Sequence, residues 1–289
     1  MNLSRISRYP APVRIVVFVA ILAVIWLPLA APLYWFSSRF SWSEIVIVIL
    51  LYFEFIGLVA FWGRQVHRQS RPLHYYGLIF NQNSLWRLLA GLCLGFASVF
   101  LLFGLESLPG WVTWESASGS FWRIMIEGGL VALGIGFAEE LLFRGWLLGE
   151  LKQDYLAQQT LWASSLIFAT LHFLKPPEEI LRTWPQFPGL VLLGLTLVFG
   201  KFILWSDRTK SSVLPLQTKT WNGNLGFPIG LHTGLVWGYY LINVGNLITY
   251  TGQVPDWITG IDRNPLAGIA GLATLGMIAL NVKKYSQFG

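Results

Sequence analysis

The stretch GFAEELLFRGW, residues 136 to 146, places two glutamates and an arginine in the middle of a long apolar run. From Phe121 to Leu148 the chain otherwise reads like a membrane-spanning helix. An ionised side chain at the centre of such a helix costs about 2.5–3.5 kcal/mol on insertion scales, so charged residues there pair with one another or serve a function. The stretch therefore indicates a membrane helix with a polar site built into it.

The composition of the whole chain agrees with a membrane protein. Of its 289 residues, 54% are hydrophobic and 12% are charged, whereas a soluble domain carries about 25% charged residues. The 15 tryptophans and 10 tyrosines fit the same class, because both residue types concentrate at membrane interfaces. The net charge of +6 arises without a dense basic run. We therefore expect a lipid bilayer as the surroundings and no nucleic acid partner.

Eight apolar segments predict an all-α, polytopic membrane protein with eight transmembrane helices, although the fifth and sixth segments fall short of the roughly 20 residues that a span needs. The segments are Val13–Phe36, Ile45–Trp62, Leu85–Leu105, Phe121–Leu148, Leu161–Leu174, Gly189–Trp205, Phe227–Ile248 and Pro265–Val282. We expect a single integral membrane domain, in which residues 1–120 carry helices one to three and residues 121–289 carry a core of helices four to eight.

The positive charges predict the orientation of these helices. With the N-terminus in the cytoplasm, most of the 20 lysines and arginines fall on the cytoplasmic side. The opposite side receives Arg39, Arg123, Lys175, Arg182 and Arg263. Because cytoplasmic loops are enriched in lysine and arginine, the sequence predicts that both termini are cytoplasmic. We expect a multi-pass protein of the cell's inner or an internal membrane.

Helical geometry divides the two glutamates of the opening stretch into different roles. Glu140 and Arg144 are four residues apart, so their side chains share a helix face and can form an ion pair. Glu139 is rotated about 100° from Glu140 around the helix axis. The spacing therefore predicts that Glu140 is held by the arginine, while Glu139 is free to face a cavity.

Two of the four histidines lie in apolar segments at a depth that suits Glu139. Counted from the cytoplasmic ends of their helices, at Glu150 and Thr160, Glu139 and His172 both lie about 16–18 Å deep. By the same count, His232 in the seventh segment lies closer to the cytoplasmic end of its helix than Glu139 and His172 do. A carboxylate and two imidazoles can activate water, bind zinc or relay protons. The remaining two histidines, which include His67, are expected to be solvated.

The order of these residues resembles a known family. The residues EELLFR (Glu139–Arg144) match the pattern EExxxR, FATLH (Phe168–His172) matches FxxxH, and a third motif begins at His232. Together they are similar to the CPBP family of intramembrane endopeptidases, which includes CAAX prenyl proteases and bacteriocin-processing or immunity proteins. The resemblance covers roughly residues 120 to 282.

The resemblance implies an eight-helix bundle with a cavity that opens to the cytoplasm, and it implies a role for each motif residue. Glu139 would be the general base that activates water, assisted by His172, and His232 would stabilise the oxyanion. Glu140 and Arg144 would form a supporting pair, and Phe168 would pack beside His172. A required cofactor is not expected; zinc is an alternative that the resemblance does not favour.

One departure from the family pattern bears on activity. The family often has asparagine or aspartate four residues after the histidine of the third motif, where this chain has Val236. Loss of an oxyanion donor lowers rates by about 10²–10³. The main expectation is an endopeptidase that cleaves a protein or peptide substrate near the cytoplasmic face. The alternatives are a CPBP-like scaffold or binding protein without catalysis and, third, a proton-coupled transporter.

Overall fold

The computed structural model describes residues 3–36, 43–117, 119–204 and 223–288. Within these ranges eight helices are at least 15 residues long. They are α1 (Ala11–Phe36), α2 (Ser43–Gln65), α3 (Gln82–Ser107), α4 (Phe121–Glu140), α5 (Ala157–Leu171), α6 (Phe187–Lys201), α7 (Gly226–Val244) and α8 (Ile269–Lys284). The fold is thus nearly all-α, as predicted.

Shorter elements connect the long helices. Short helices of three to seven residues occur at Leu3–Arg8, Pro72–Tyr75, Pro177–Thr183, Trp184–Gln186, Asp256–Thr259, Ile261–Arg263 and Pro265–Ala267. Strands β1 (Val112–Trp114) and β2 (Ile248–Tyr250) pair antiparallel, with Thr113 opposite Thr249. The apolar pattern gave no sign of these strands, because each has only three residues. Most of the polar loop before α7 lies outside the described residues.

Five segments of the described chain are long and apolar enough to cross a bilayer. They are Ala11–Trp35, Val46–Gln65, Gln82–Ser107, Phe121–Leu151 and Pro177–Lys201. The other three predicted spans coincide with α5, α7 and α8, which are 15, 19 and 16 residues long. A 15-residue helix rises only about 22 Å, less than the roughly 30 Å of the hydrocarbon core. The eight-span topology, its orientation and the boundary at residue 120 stay predictions.

The helix that carries the two glutamates changes its winding directly after them. Helix α4 ends at Glu140 and continues as a π-helix over Leu141–Leu147, followed by a last α-helical turn at Leu148–Leu151. Such π-helical segments frequently mark functional sites. The buried Lys201 stabilises this π-helix. Its Nζ donates hydrogen bonds to the carbonyl oxygens of Arg144 at 2.7 Å and Tyr76 at 3.1 Å.

Helices α3 and α7 are in direct backbone contact, and this contact positions His232. The sequence GFPIGLHTGLVWG, residues 226–238, has a glycine at every fourth position. It faces Gly91 and Gly95 of α3, where a Cβ atom would overlap the backbone of α7. A Cβ atom on Gly230 would in turn overlap the carbonyl oxygen of Leu88. Small residues at this spacing let membrane helices approach closely, so α7 is fixed on both sides of His232.

The glycine contact predicts the effect of adding one methyl group. Gly230→Ala is expected to lower the free energy of unfolding by about 1–3 kcal/mol, because the two helices must separate to admit the methyl group. The unfolding midpoint of the detergent-solubilised protein measures this. Gly104→Ala is the matched control, since a Cβ atom at Gly104 of α3 would meet nothing within 4 Å. Equal midpoints for the two variants would contradict the close contact.

The N-terminal helices are joined to the end of the α4 segment by a buried polar network around Glu150. The Glu150 carboxylate accepts hydrogen bonds from Arg14 Nε at 2.7 Å and Trp62 Nε1 at 3.0 Å, and it lies 2.6 Å from His67 Nε2. Arg14 also contacts Asp154 at 3.1 Å. The expectation that His67 is solvated is therefore wrong: its side chain turns inward to Glu150 and is buried.

Candidate active site

Glu139, His172 and His232 come together from three different helices. Glu139 is the next-to-last residue of α4, His172 directly follows α5, and His232 lies within α7. Glu139 Oε2 is 3.8 Å from His172 Nε2 and 3.9 Å from His232 Nε2. The Glu139 and His172 side chains are 29% and 32% exposed, whereas His232 is 5% exposed. The cluster is thus half-buried.

The hydrogen bonds of His172 determine which of its nitrogens faces the glutamate. His172 Nδ1 lies 2.8 Å from the carbonyl oxygen of Phe168, one turn earlier. A carbonyl oxygen only accepts hydrogen bonds, so Nδ1 must carry the proton. In the neutral imidazole, Nε2 is then an acceptor directed toward Glu139.

Glu140 is fully buried and holds two of the other side chains in place. Its Oε1 accepts hydrogen bonds from Arg144 Nη1 at 2.8 Å and from His232 Nδ1 at 2.9 Å. The ion pair predicted from the four-residue spacing is therefore present. The bond to His232 was not predicted; it directs the Nε2 of that histidine toward Glu139.

Phe168 packs among the polar side chains of the site. Its ring centre lies 4.5 Å from that of His172 and 6.2 Å from that of His232. The guanidinium carbon of Arg144 lies 4.2 Å from the Phe168 ring centre, which is a favourable cation–π distance. Arg144 also donates to the carbonyl oxygen of Gly194 on α6 at 3.3 Å. The buried arginine thus has an aromatic face and two hydrogen-bond acceptors as partners.

Comparison with known proteins gives one family match. Residues 121–252, just under half of the chain, match the family model described as type II CAAX prenyl endopeptidase Rce1-like. Over this segment the chain is therefore similar to the CPBP family. No curated protein and no solved structure matches the chain significantly. This similarity and the five apolar helices together support a multi-pass intramembrane protease.

The matched segment lacks an amide or carboxylate one turn after His232, because Val236 occupies that position. The nearby hydroxyl of Thr233 does not take its place beside the cluster. It is buried against Gly136 of α4 and has no hydrogen-bond partner among the described residues. The side chain that faces Glu139 from α7 is therefore His232.

The described residues hold no group of three or more histidine, cysteine, aspartate or glutamate side chains arranged to hold a metal ion. What Glu139, His172 and His232 offer by themselves is acid–base chemistry. A carboxylate oxygen that is buried, flanked by two imidazoles and without a direct hydrogen bond to the described residues is placed to accept a proton from a small molecule between them.

Proposed function

We propose that the chain is an intramembrane endopeptidase that hydrolyses a peptide bond of a protein or peptide substrate near the cytoplasmic membrane face. The proposal includes eight transmembrane helices with both termini in the cytoplasm. The observation that carries it is the approach of Glu139 Oε2 to the Nε2 atoms of His172 and His232 at 3.8 and 3.9 Å. The matching family is described by its action on CAAX prenyl proteins; for this chain we propose the wider class of peptide substrates.

The gap between Glu139 and His172 suits one water molecule. A water with hydrogen bonds of about 2.8 Å to both atoms would subtend an angle of about 85° across the 3.8 Å separation. Both atoms are acceptors, so the water would donate one O–H to each. Its lone pairs would then be free to attack a carbonyl carbon held above it.

In this mechanism Glu139 takes a proton from the water as the oxygen forms a bond to the carbonyl carbon. The carbonyl becomes an oxyanion, which accepts a hydrogen bond from His232 Nε2–H. For this role His232 is protonated on both nitrogens, and the Glu140 carboxylate at Nδ1 compensates the positive charge. When the C–N bond breaks, the leaving amine takes the proton from Glu139. These groups suffice without a metal, so we expect a chelator to leave the rate unchanged.

Cleavage of peptides by the purified protein in liposomes tests the proposal. We expect His172→Ala to lower the hydrolysis rate by about 10²–10⁴ because one acceptor for the water is lost. His74→Ala is the control, since that histidine is exposed on a short turn outside the cluster. Equal rates for His172→Ala and the wild type, or no hydrolysis by the wild type, would contradict the proposed function.

A scaffold or binding protein without catalysis is the second candidate function. It is favoured by Val236, because the side chain of valine cannot donate a hydrogen bond at the position where a second donor to an oxyanion would be expected. Complementation of a deletion strain separates the two functions. A scaffold with Glu139→Gln would restore the wild-type phenotype, whereas an endopeptidase with that substitution would not.

A further inference from the structure

A polar cleft of about 420 Å³ lies apart from the Glu139 cluster, beside the start of α1 and the end of α2. Its wall includes the polar side chains Ser4, Ser7, Arg8, His67, Arg68 and Gln153. The first three belong to the short helix before α1, and the next two belong to the turn after α2. Binding sites for small molecules measure about 300–1,000 Å³. The cleft is therefore large enough for a polar ligand or headgroup.

Two arginines give the cleft a positive charge. Among the described residues, neither Arg8 nor Arg68 forms an ion pair with a carboxylate. The carboxylates of the neighbouring polar network, Glu150 and Asp154, are already paired with Arg14. An anionic ligand would therefore find two cations in the cleft that no acidic side chain neutralises.

The conformation of Arg68 is unusual, and its side chain joins the two walls of the cleft. Its φ angle is +56°, in the left-handed region that residues other than glycine rarely adopt. Backbone of this kind is found most often at functional sites such as ligand clamps. Arg68 Nη2 donates a hydrogen bond to Ser4 Oγ at 3.1 Å. A guanidinium carries five N–H donors, so this hydrogen bond leaves others for a ligand.

We propose that the cleft binds the phosphate group of an anionic membrane lipid. The planar fork of an arginine matches phosphate oxygens in geometry and charge, and serine hydroxyls are common phosphate ligands. Basic pockets between membrane helices on the cytoplasmic side are typical headgroup sites. The site does not depend on catalysis; only its assignment to the cytoplasmic leaflet rests on the orientation given under the proposed function.

The place of the cleft favours a lipid over a free phosphate ion. Helix α1 begins three residues after Arg8, and α2 ends three residues before Arg68. Three residues span at most about 10 Å, so both arginines lie next to the end of a helix that is long and apolar enough to cross a bilayer. Val16 of α1 and Phe61 of α2 are exposed on these helices. Such apolar surface would contact the acyl chains of a lipid whose phosphate is in the cleft.

The test uses the full chain in micelles of a neutral detergent. The protein is titrated with phosphatidylglycerol, with zwitterionic phosphatidylcholine or with inorganic phosphate, and native mass spectrometry counts the bound molecules. The rise of the unfolding midpoint on binding is a second measure. We expect phosphatidylglycerol to bind at least about tenfold more tightly than either other ligand. Equal affinity for the two lipids would overturn the site, and equal affinity for inorganic phosphate would overturn the lipid as its ligand.

Arginine variants show whether the lipid binds in the cleft. A basic side chain beside an anionic headgroup contributes about fivefold in affinity. We therefore expect Arg8→Gln and Arg68→Gln each to weaken phosphatidylglycerol binding about fivefold, and both together about 25-fold. Arg64→Gln is the matched control, because Arg64 is an exposed residue of α2 that does not line the cleft. Its affinity should equal that of the wild type.

The same variants separate loss of binding from loss of folding. Arg8, Arg64 and Arg68 are all exposed, so each variant should keep the wild-type unfolding midpoint when no lipid is present. A loss of affinity in Arg64→Gln as large as that in Arg68→Gln would show a diffuse attraction to basic residues and would overturn the cleft as a site. Peptide hydrolysis enters none of these measurements, so their outcome is independent of whether the chain is an endopeptidase.

Discussion

Replacing Glu139 by glutamine is expected to lower the rate of peptide hydrolysis by about 10²–10⁴ while the protein stays folded. Glutamine has nearly the same shape as glutamate but cannot accept the proton of the attacking water. Glu139 makes no ion pair with Arg144 and is 29% exposed, so its replacement leaves no buried cation without a partner. The rate is measured with the purified variant in liposomes, and its unfolding midpoint shows that the fold persists.

Glu127→Gln is the matched control for Glu139→Gln. Glu127 lies on the same helix, and its exposed side chain pairs with Arg123 at the helix surface. We expect the wild-type rate from this variant. Residues that act on one water molecule are strongly non-additive, so Glu139→Gln combined with His172→Ala should be little slower than Glu139→Gln alone. Independent, multiplying losses would refute a shared water as the nucleophile.

Replacing Arg144 by methionine is expected to lower the free energy of unfolding by about 3–5 kcal/mol. The substitution leaves the buried Glu140 carboxylate without its guanidinium partner, although the bond from His232 remains. It also removes the guanidinium from the face of Phe168. Unfolding of the detergent-solubilised protein by denaturant measures the loss.

The helix that carries this buried pair supplies an exposed pair of the same spacing as a control. Arg123 and Glu127 are also four residues apart and lie 2.7 Å from one another, but they are 78% and 52% exposed. Exposed ion pairs contribute about 0–1 kcal/mol, so Arg123→Met should change the unfolding midpoint only slightly. Similar losses for Arg123→Met and Arg144→Met would show that burial is not the source of the effect.

Local geometry explains which parts of the site could be predicted from the sequence. The pairing of Glu140 with Arg144 follows from the four-residue helical spacing alone. The approach of Glu139 to His172 follows from equal depth in two helices that a short loop joins. Both arguments use distances along one or two neighbouring helices, where the rise per residue is fixed.

The features that the sequence did not predict depend on contacts between distant segments. His232 was expected to be shallower than Glu139, but the glycine contact between α3 and α7 sets its position, and Glu140 turns its ring toward the cluster. The π-helix after Glu140 has no signal in the apolar pattern. His67 was expected to be solvated because its neighbours are charged, whereas its partner Glu150 lies 83 residues away.

The Arg14–Glu150 hydrogen bond also constrains the order in which the chain folds during its translation. The two residues are 136 positions apart, and translation at 5–20 residues per second takes roughly 7–27 s to cover that distance. During this time helix α1 carries an arginine without its carboxylate, and such a side chain is stable only where it reaches the water at the membrane surface. The first two helices are therefore expected to reach their final places only after residue 150 has left the ribosome.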